Sequence, residues 1–145
     1  MGMQPVMAIR LSARVIAVVI AAMIGGFSLF VGFNKALAPL DVLRAHMAWT
    51  IHLPVMLGRA LGWLEIGAAL VLIGSIVMPR KASAGFVAAA WITLNHTIAA
   101  VMHVIHHEFA ALPQSAVLIT LCLALLALQR RLIVHPSSAI EESIR

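Results

Sequence analysis

The chain alternates between long apolar runs and short polar segments, and this pattern predicts four helices that cross a membrane. Runs free of Asp, Glu, Lys and Arg cover residues 15–34, 82–107 and 109–129, and a fourth run, 60–79, is interrupted only by Glu65. About 20 apolar residues are enough to span the hydrocarbon core of a bilayer. We therefore expect a single membrane domain over residues 1–145, with helices at about 14–34, 55–78, 82–105 and 113–133.

The connection between the first two predicted helices is long and has a pattern of its own. Pro39 and Asp41 favour a helix start, and Pro54 disfavours helix at the residue before it. Trp49 lies between them and is a residue type that anchors at membrane surfaces. We expect a short interfacial helix at about 40–52. The predicted fold class is thus all-α, an integral membrane four-helix bundle with a short interfacial helix between helices 1 and 2.

Small residues recur four positions apart in the apolar runs, which favours close approach of helix backbones. The short loops between helices 2 and 3 and between helices 3 and 4 indicate antiparallel neighbours. The pairs are Ala21/Gly25, Ala22/Gly26, Ser28/Gly32, Gly58/Gly62 and Gly85/Ala89.

Composition agrees with a membrane protein and bears on its orientation. The chain is 63% hydrophobic and 10% charged, with a mean hydropathy of +1.05. The net charge of +5 does not indicate nucleic-acid binding, because the basic residues are scattered at helix ends. By the positive-inside rule both termini are predicted to be cytoplasmic. The cytoplasmic set is Arg10, Arg14, Arg80, Lys81, Arg130, Arg131 and Arg145, and the opposite set is Lys35, Arg44 and Arg59.

Glu65 is the most informative residue, because an ionisable group inside a membrane must be paired or hydrated. The second helix begins near Pro54 at one membrane surface, so Glu65 should lie roughly 16 Å below that surface. His96 on the next helix should lie roughly 14 Å below the same surface. We therefore predict a buried Glu65–His96 pair, with Asn95 and Arg59 completing a polar site. Arg59 is about 120° around the helix from Glu65, so we expect its side chain to reach the headgroups or His and Asp groups at the mouth. A purely structural role, fixing how the helices pack, is equally compatible with these residues.

Four histidines fall within residues 95–108 and raise the question of a metal. His103 and His107 are four residues apart, a spacing that can hold one ion. His46 and His52 of the outer connection could add ligands, so the sequence allows a metal rim, although solvated histidines at a helix end account for the same pattern. The single cysteine, Cys122, lies within the fourth helix and indicates a small buried residue rather than a redox pair.

Two kinds of bound molecule can be compared with the residues available. Haem held by two histidines needs those histidines on facing helices. Three of the four predicted helices contain no histidine in their apolar spans, so we expect no haem. A quinone or lipid needs an apolar cleft with a few polar groups. The side chains that could supply one are Trp63, Phe86, Trp91, Thr93, Asn95 and His96.

Two stretches, GFNKALAPL at 32–40 and LGRALGWLEIGAALVLIG at 57–74, resemble the DoxX and DoxX-like family of small four-helix membrane proteins. The resemblance extends over roughly residues 25–131. It implies that Arg59 and Glu65 are site residues, with His96 as a third. Members resemble the membrane subunit of a thiosulfate:quinone oxidoreductase, or partners of soluble thiol- and superoxide-handling enzymes. This chain has no cysteine placed for sulfur transfer.

The resemblance implies a subunit of a bacterial inner membrane that is associated with a quinone-linked redox system and has no redox cofactor of its own. Its expected surroundings are the lipid bilayer and a protein partner in a membrane complex. The alternative is a non-catalytic structural accessory subunit that packs against a larger membrane complex. Whether the chain itself catalyses a reaction stays open at this point.

Overall fold

Five α-helices and three short 3-10 turns make up the structure, a computed structural model that describes the backbone of residues 3–134 and the side chains of 11–130 except residue 79. The predicted ends of the domain, 1–2 and 135–145, therefore lie outside the described residues, as do Arg145 and the side chains of Arg10 and Arg131. The helices are α1 (Met3–Leu37), α2 (Leu40–Ala45), α3 (Val55–Val77), α4 (Ala82–Ile105) and α5 (Leu112–Val134). The 3-10 turns are Trp49–His52, Pro79–Lys81 and Phe109–Ala111.

Four of these helices have the length and apolar composition needed to cross a bilayer, and the described residues contain no strand. The spans are Leu11–Leu37, Val55–Val77, Ala82–Ile105 and Phe109–Arg130. The predicted all-α membrane bundle is therefore confirmed. Helix α1 begins at Met3, well before residue 14, and the 40–52 segment contains α2 followed by a 3-10 turn.

The four long helices form a ring in the order α1, α3, α4, α5, with α5 returning to α1. Each contributes one large, fully enclosed side chain to the centre: Ile24, Leu72, Ile92 and Leu125. Many large apolar side chains point outward instead; Met56, for example, is 81% exposed. This arrangement suits a protein surrounded by lipid, where outward apolar groups need no cover and only backbone polar groups must be satisfied internally.

Helices α1 and α3 touch through their backbones at two glycines. A Cβ atom on Gly62 would lie 2.5 Å from the backbone nitrogen of Ala36, and one on Gly32 would lie 2.9 Å from the carbonyl oxygen of Gly62. Gly32 and Gly62, one from each of the pairs Ser28/Gly32 and Gly58/Gly62, thus supply a close crossing, whereas Gly58 meets Thr50. The Ala22/Gly26 pair does not, because nothing lies within 4 Å of a Cβ atom on Gly26.

The connections that follow α2 and α4 begin alike. A histidine directly after each helix places its ring Nδ1 within hydrogen-bond distance of the carbonyl oxygen four residues back, at 2.8 Å for His46 and 2.9 Å for His106. The next residue has a positive φ, 49° at Met47 and 59° at His107. A 3-10 turn follows in both, and then a Leu-Pro dipeptide, which precedes α3 in the first connection and forms the first two residues of α5 in the second. Similar connections therefore join the helices at one end of the bundle.

We predict that the Gly62→Ala variant is less stable than the native chain by about 1–3 kcal/mol, because the added methyl group meets backbone that cannot move aside. The measurement is the free energy of unfolding, or the shift in Tm, in detergent. Gly67→Ala on the same helix is the matched control, since nothing lies within 4 Å of its Cβ position. It should be neutral or slightly stabilising. Equal losses in both variants would contradict a special role for the crossing.

Candidate functional site

Glu65 is paired with a lysine inside the bundle. The Nζ atom of Lys35 lies 2.6 Å from Oε2 of Glu65, and the two residues are 4% and 1% exposed. Lys35 follows Gly32 by three residues, and Glu65 follows Gly62 by three. Because α1 and α3 are antiparallel and side chains tilt toward the N-terminus of their own helix, these two side chains lean toward each other. The close glycine crossing therefore brings the pair together.

This pair corrects the predicted partnership of Glu65 with His96. In the part of the chain that the structure describes, no hydrogen bond joins these two residues, and Oε1 of Glu65 has no hydrogen-bond partner. Lys35 was expected among the basic residues of the outer side, because a lysine near the end of a membrane helix normally reaches the headgroups. In the structure its four-carbon stem runs inward to the carboxylate instead.

Arg59 stabilises the same end of α1 without contacting the carboxylate. Its Nη1 donates a hydrogen bond to the carbonyl oxygen of Lys35 at 2.9 Å, and its side chain is partly buried. The last carbonyls of a helix lack partners within the helix, so a cation there satisfies one of them and interacts favourably with the helix dipole. Arg59 was expected to reach headgroups or His and Asp groups, and its contact with the carbonyl oxygen of Lys35 was not foreseen. It supports the backbone that carries Lys35.

His96 and Asn95 are buried in α4, at 5% and 4% exposed. Ser75 of α3 contacts Gly85 of α4, and because the two helices are antiparallel this contact places Asn95 at about the depth of Glu65. Yet Nδ2 of Asn95 and Nε2 of His96 have no hydrogen-bond partner among the described residues. A buried polar atom without a partner costs free energy, and such atoms often mark functional sites.

A cavity of about 280 Å³ opens beside Lys35 and His96. We call it the head cavity. The ring of Phe27 lies 6.2 Å from that of His96, and Nζ of Lys35 lies 5.5 Å from the centre of the Trp49 ring. The cavity is thus an aromatic chamber with a cation and an unpartnered imidazole in its wall. Its polar lining residues are Asn34, Lys35, His46, His96, Gln114 and Ser115, and its apolar lining includes Phe27, Phe30, Val31, Leu43, Trp49 and Leu118.

The cavity differs from the cleft expected from the sequence. Of the six side chains proposed for that cleft, only His96 lines the head cavity. Trp63 is 56% exposed and belongs to the outer surface of the bundle. The other walls come from α1, from α5 and from the connection after α2, and helical periodicity within single segments does not show that these elements meet.

Three histidines at the end of the bundle where these connections lie are organised around Glu108. Its Oε2 lies 2.7 Å from Nδ1 of His103, and its Oε1 lies 3.0 Å from Nε2 of His52. The ring of His52 also stacks on that of His106, with centroids 3.5 Å apart. These contacts tie the connection after α2 to the end of α4. We call the residues that make them the histidine clasp: His52, His103, His106 and Glu108.

The clasp replaces the metal rim predicted from His46, His52, His103 and His107. His46 bonds to the carbonyl oxygen of Val42, and His107 packs edge-on against Phe109, so the four do not converge. Within residues 3–134 as described, no group of three His, Cys, Asp or Glu side chains is arranged to hold a metal ion. The positive φ of His107 turns the chain so that Glu108, rather than His107, meets His103.

The clasp also lowers the pKa of the Glu108 carboxyl group. Burial raises the pKa of Glu108, but hydrogen bonds from His103 and His52, together with their charge, outweigh burial and hold the pKa below the usual 4.5. A carboxyl whose pKa is lowered by folding stabilises the folded state above its unfolded pKa, and the stabilisation is lost as the pH falls through the folded value.

Together the fold and the buried pair define a multi-pass all-α membrane protein with a polar site enclosed by its helices. A family model described as the DoxX-like family matches residues 15–125, and the chain belongs to that family. Comparison with curated proteins gives no match, and comparison with solved structures gives none either.

We predict that Lys35→Met lowers stability by about 3–5 kcal/mol, because it leaves the Glu65 carboxylate buried without its cation. The double variant Lys35→Met/Glu65→Met should recover most of that loss, since neither charge remains. Unfolding in detergent measures both effects. Lys81→Met, which removes an exposed lysine, is the control and should change little. A double variant no more stable than Lys35→Met would contradict a direct ion pair.

For the clasp, we expect Glu108→Gln to be less stable than the native chain at neutral pH. The difference should shrink as the pH falls below about 4.5, because the native carboxylate then becomes protonated. Tm measured across a pH series gives the difference curve. Asp41→Asn, which changes an exposed acid of α2, is the control and should change Tm little at neutral pH. A Glu108→Gln difference that does not change with pH would show that the carboxylate charge is not what stabilises the clasp.

Proposed function

We propose that this chain is a membrane subunit of a quinone-linked redox system, and that the head cavity binds the quinone ring. The observation that carries the proposal is the buried Nε2 atom of His96, which has no hydrogen-bond partner among the described residues, on a side chain that lines the same cavity as Lys35. A quinone ring presents two carbonyl oxygens, which are hydrogen-bond acceptors. An imidazole N–H and an ammonium N–H are donors suited to them.

The electrostatics of the cavity favour a neutral ligand. Lys35 is a cation, but Glu65 lies 2.6 Å behind it and neutralises most of its charge. A lipid phosphate in the cavity would add an unbalanced negative charge to a buried site, whereas a quinone adds none. The volume of about 280 Å³ is close to the lower end of small-molecule sites, which suits a ring better than a complete lipid headgroup.

In this proposal the chain binds and orients a quinone, and electrons come from a protein partner. The side chains described provide hydrogen bonds and apolar walls, and the lone cysteine, Cys122, is fully buried among core residues. As proposed here, the chain has no redox cofactor of its own and works in a complex within a bacterial inner membrane.

The charges of the structure also support the proposed orientation. Since Lys35 is buried and paired, it no longer counts as a basic residue of the outer side. Arg44 and Arg59 remain there, against seven on the opposite side. The larger imbalance favours cytoplasmic termini, with the head cavity and the histidine clasp nearer the outer surface.

Quinone binding can be measured with Trp49 as the reporter, because its ring lines the cavity. In a Trp63→Phe/Trp91→Phe background, we expect a benzoquinone with a short isoprenoid tail to quench Trp49 fluorescence in lipid nanodiscs. His96→Leu should raise Kd by about five- to tenfold, the effect of losing one hydrogen bond in a buried site.

Asn95→Leu is the matched control, because Asn95 is as buried as His96 and also lacks a partner but does not line the head cavity. It should leave Kd unchanged. Equal effects of the two substitutions would indicate a general disturbance of α4. Failure of the Trp63→Phe/Trp91→Phe protein to bind the quinone would reject the proposed function, provided that its Tm matches that of the native chain.

A further inference from the structure

A second cavity adjoins the head cavity on the side that faces the bilayer. It has a volume of about 430 Å³, lies between α1 and α5, and has almost no polar surface. We call it the tail groove. Phe27, Gln114 and Leu118 line both the groove and the head cavity, so the two spaces share a boundary.

The tail groove has a buried floor and open edges. Ile24 and Leu118 form the floor, at 1% and 7% exposed, while Met23 and Val117 at the edges are 59% and 58% exposed. Along α5 the lining extends from Pro113 to Leu121, and the part beyond Gln114, which the head cavity shares, rises by roughly 10 Å. The groove therefore leads from the head cavity along the helix and opens sideways toward lipid.

We infer that the tail groove binds the first part of the isoprenoid tail of the molecule whose ring occupies the head cavity, and that this molecule enters sideways from the bilayer between α1 and α5. The inference rests on the proposed function. Two adjoining spaces, one with polar groups in its wall and the other apolar, match a ligand with a polar ring and an apolar tail.

The residues at the edges favour a flexible chain over a partner helix. Helices that pack closely in membranes do so through small residues, whereas Met23, Val117 and Leu121 are large. A ligand tail that is held by the ring at one end can bend to follow an irregular groove, and a straight helix cannot.

The expected gain in affinity from the tail is modest. Lipid chains are as apolar as the groove, so moving a tail from the bilayer into it gains little hydrophobic free energy. The gain comes from packing contacts and from holding the tail beside an occupied head cavity. We expect a tail of about two isoprene units, enough to fill roughly 10 Å, to tighten binding by about three- to tenfold, and longer tails to add nothing.

The test uses two probes, a benzoquinone ring with a two-isoprene tail and the same ring without a tail, with Kd measured by calorimetry in nanodiscs. Val117→Trp fills the groove and should weaken binding of the tailed probe by about three- to tenfold while leaving the tailless probe unchanged. Leu123→Trp is the control. Leu123 lies on α5 with a similar exposure of 55%, but it does not line the groove.

The outcomes separate the two proposals. If neither probe binds the native chain, the proposed function fails. If both probes bind with the same Kd, or if Val117→Trp weakens them equally or not at all, the tail groove inference is wrong while the head cavity stands. Tight binding of the tailed probe that only Val117→Trp weakens supports the groove.

Discussion

The burial of Lys35 and Glu65 is the constraint on which the rest of the site depends. Each charge alone would be expensive in the middle of a membrane bundle, so the two must lie in contact, and contact requires α1 and α3 to cross closely. Gly32 and Gly62 permit that crossing. Arg59 then holds the end of α1 through the carbonyl oxygen of Lys35. These contacts fix the end of α1 and so restrict the conformation of the connection that follows it.

That connection completes the head cavity. Trp49 is buried beside Lys35, and the segment from Val42 to Trp49 covers the space between α1, α4 and α5. Three residues after Trp49, the histidine clasp ties the chain to the end of α4 through His52 and Glu108. A chamber with polar donors is thus enclosed by a piece of chain that is neither a membrane helix nor a free loop. It contacts the ion pair through Trp49 and the clasp through His52.

The bundle could be predicted from the sequence because a long apolar run in a membrane is restricted almost entirely to a spanning helix. It also singles out Glu65 and His96, since ionisable groups are rare at that depth. Lys35 was missed because a lysine at a helix end normally extends outward. The signal that could have found it is the matched spacing of Gly32 with Lys35 and of Gly62 with Glu65 on antiparallel helices.

Other features depend on contacts between distant segments, which local patterns do not determine. Glu108 pairs with His52, 56 residues away, only because His107 adopts a positive φ and redirects the chain. The head cavity likewise combines four elements. The repeated connection could have been noticed from its two Leu-Pro dipeptides, each preceded by a histidine and an aromatic residue, but these similarities are short.

The repeated connection also bears on how the protein enters its membrane. It divides the spanning helices into two hairpins, α1 with α3 and α4 with α5, and both members of the ion pair belong to the first. Lys35 and Glu65 can therefore neutralise each other as soon as that hairpin forms, before the second hairpin has been synthesised. The charges would then reach the interior of the bilayer already paired. The second hairpin, which brings His96 and closes the chamber, would insert without any Asp, Glu, Lys or Arg at mid-membrane.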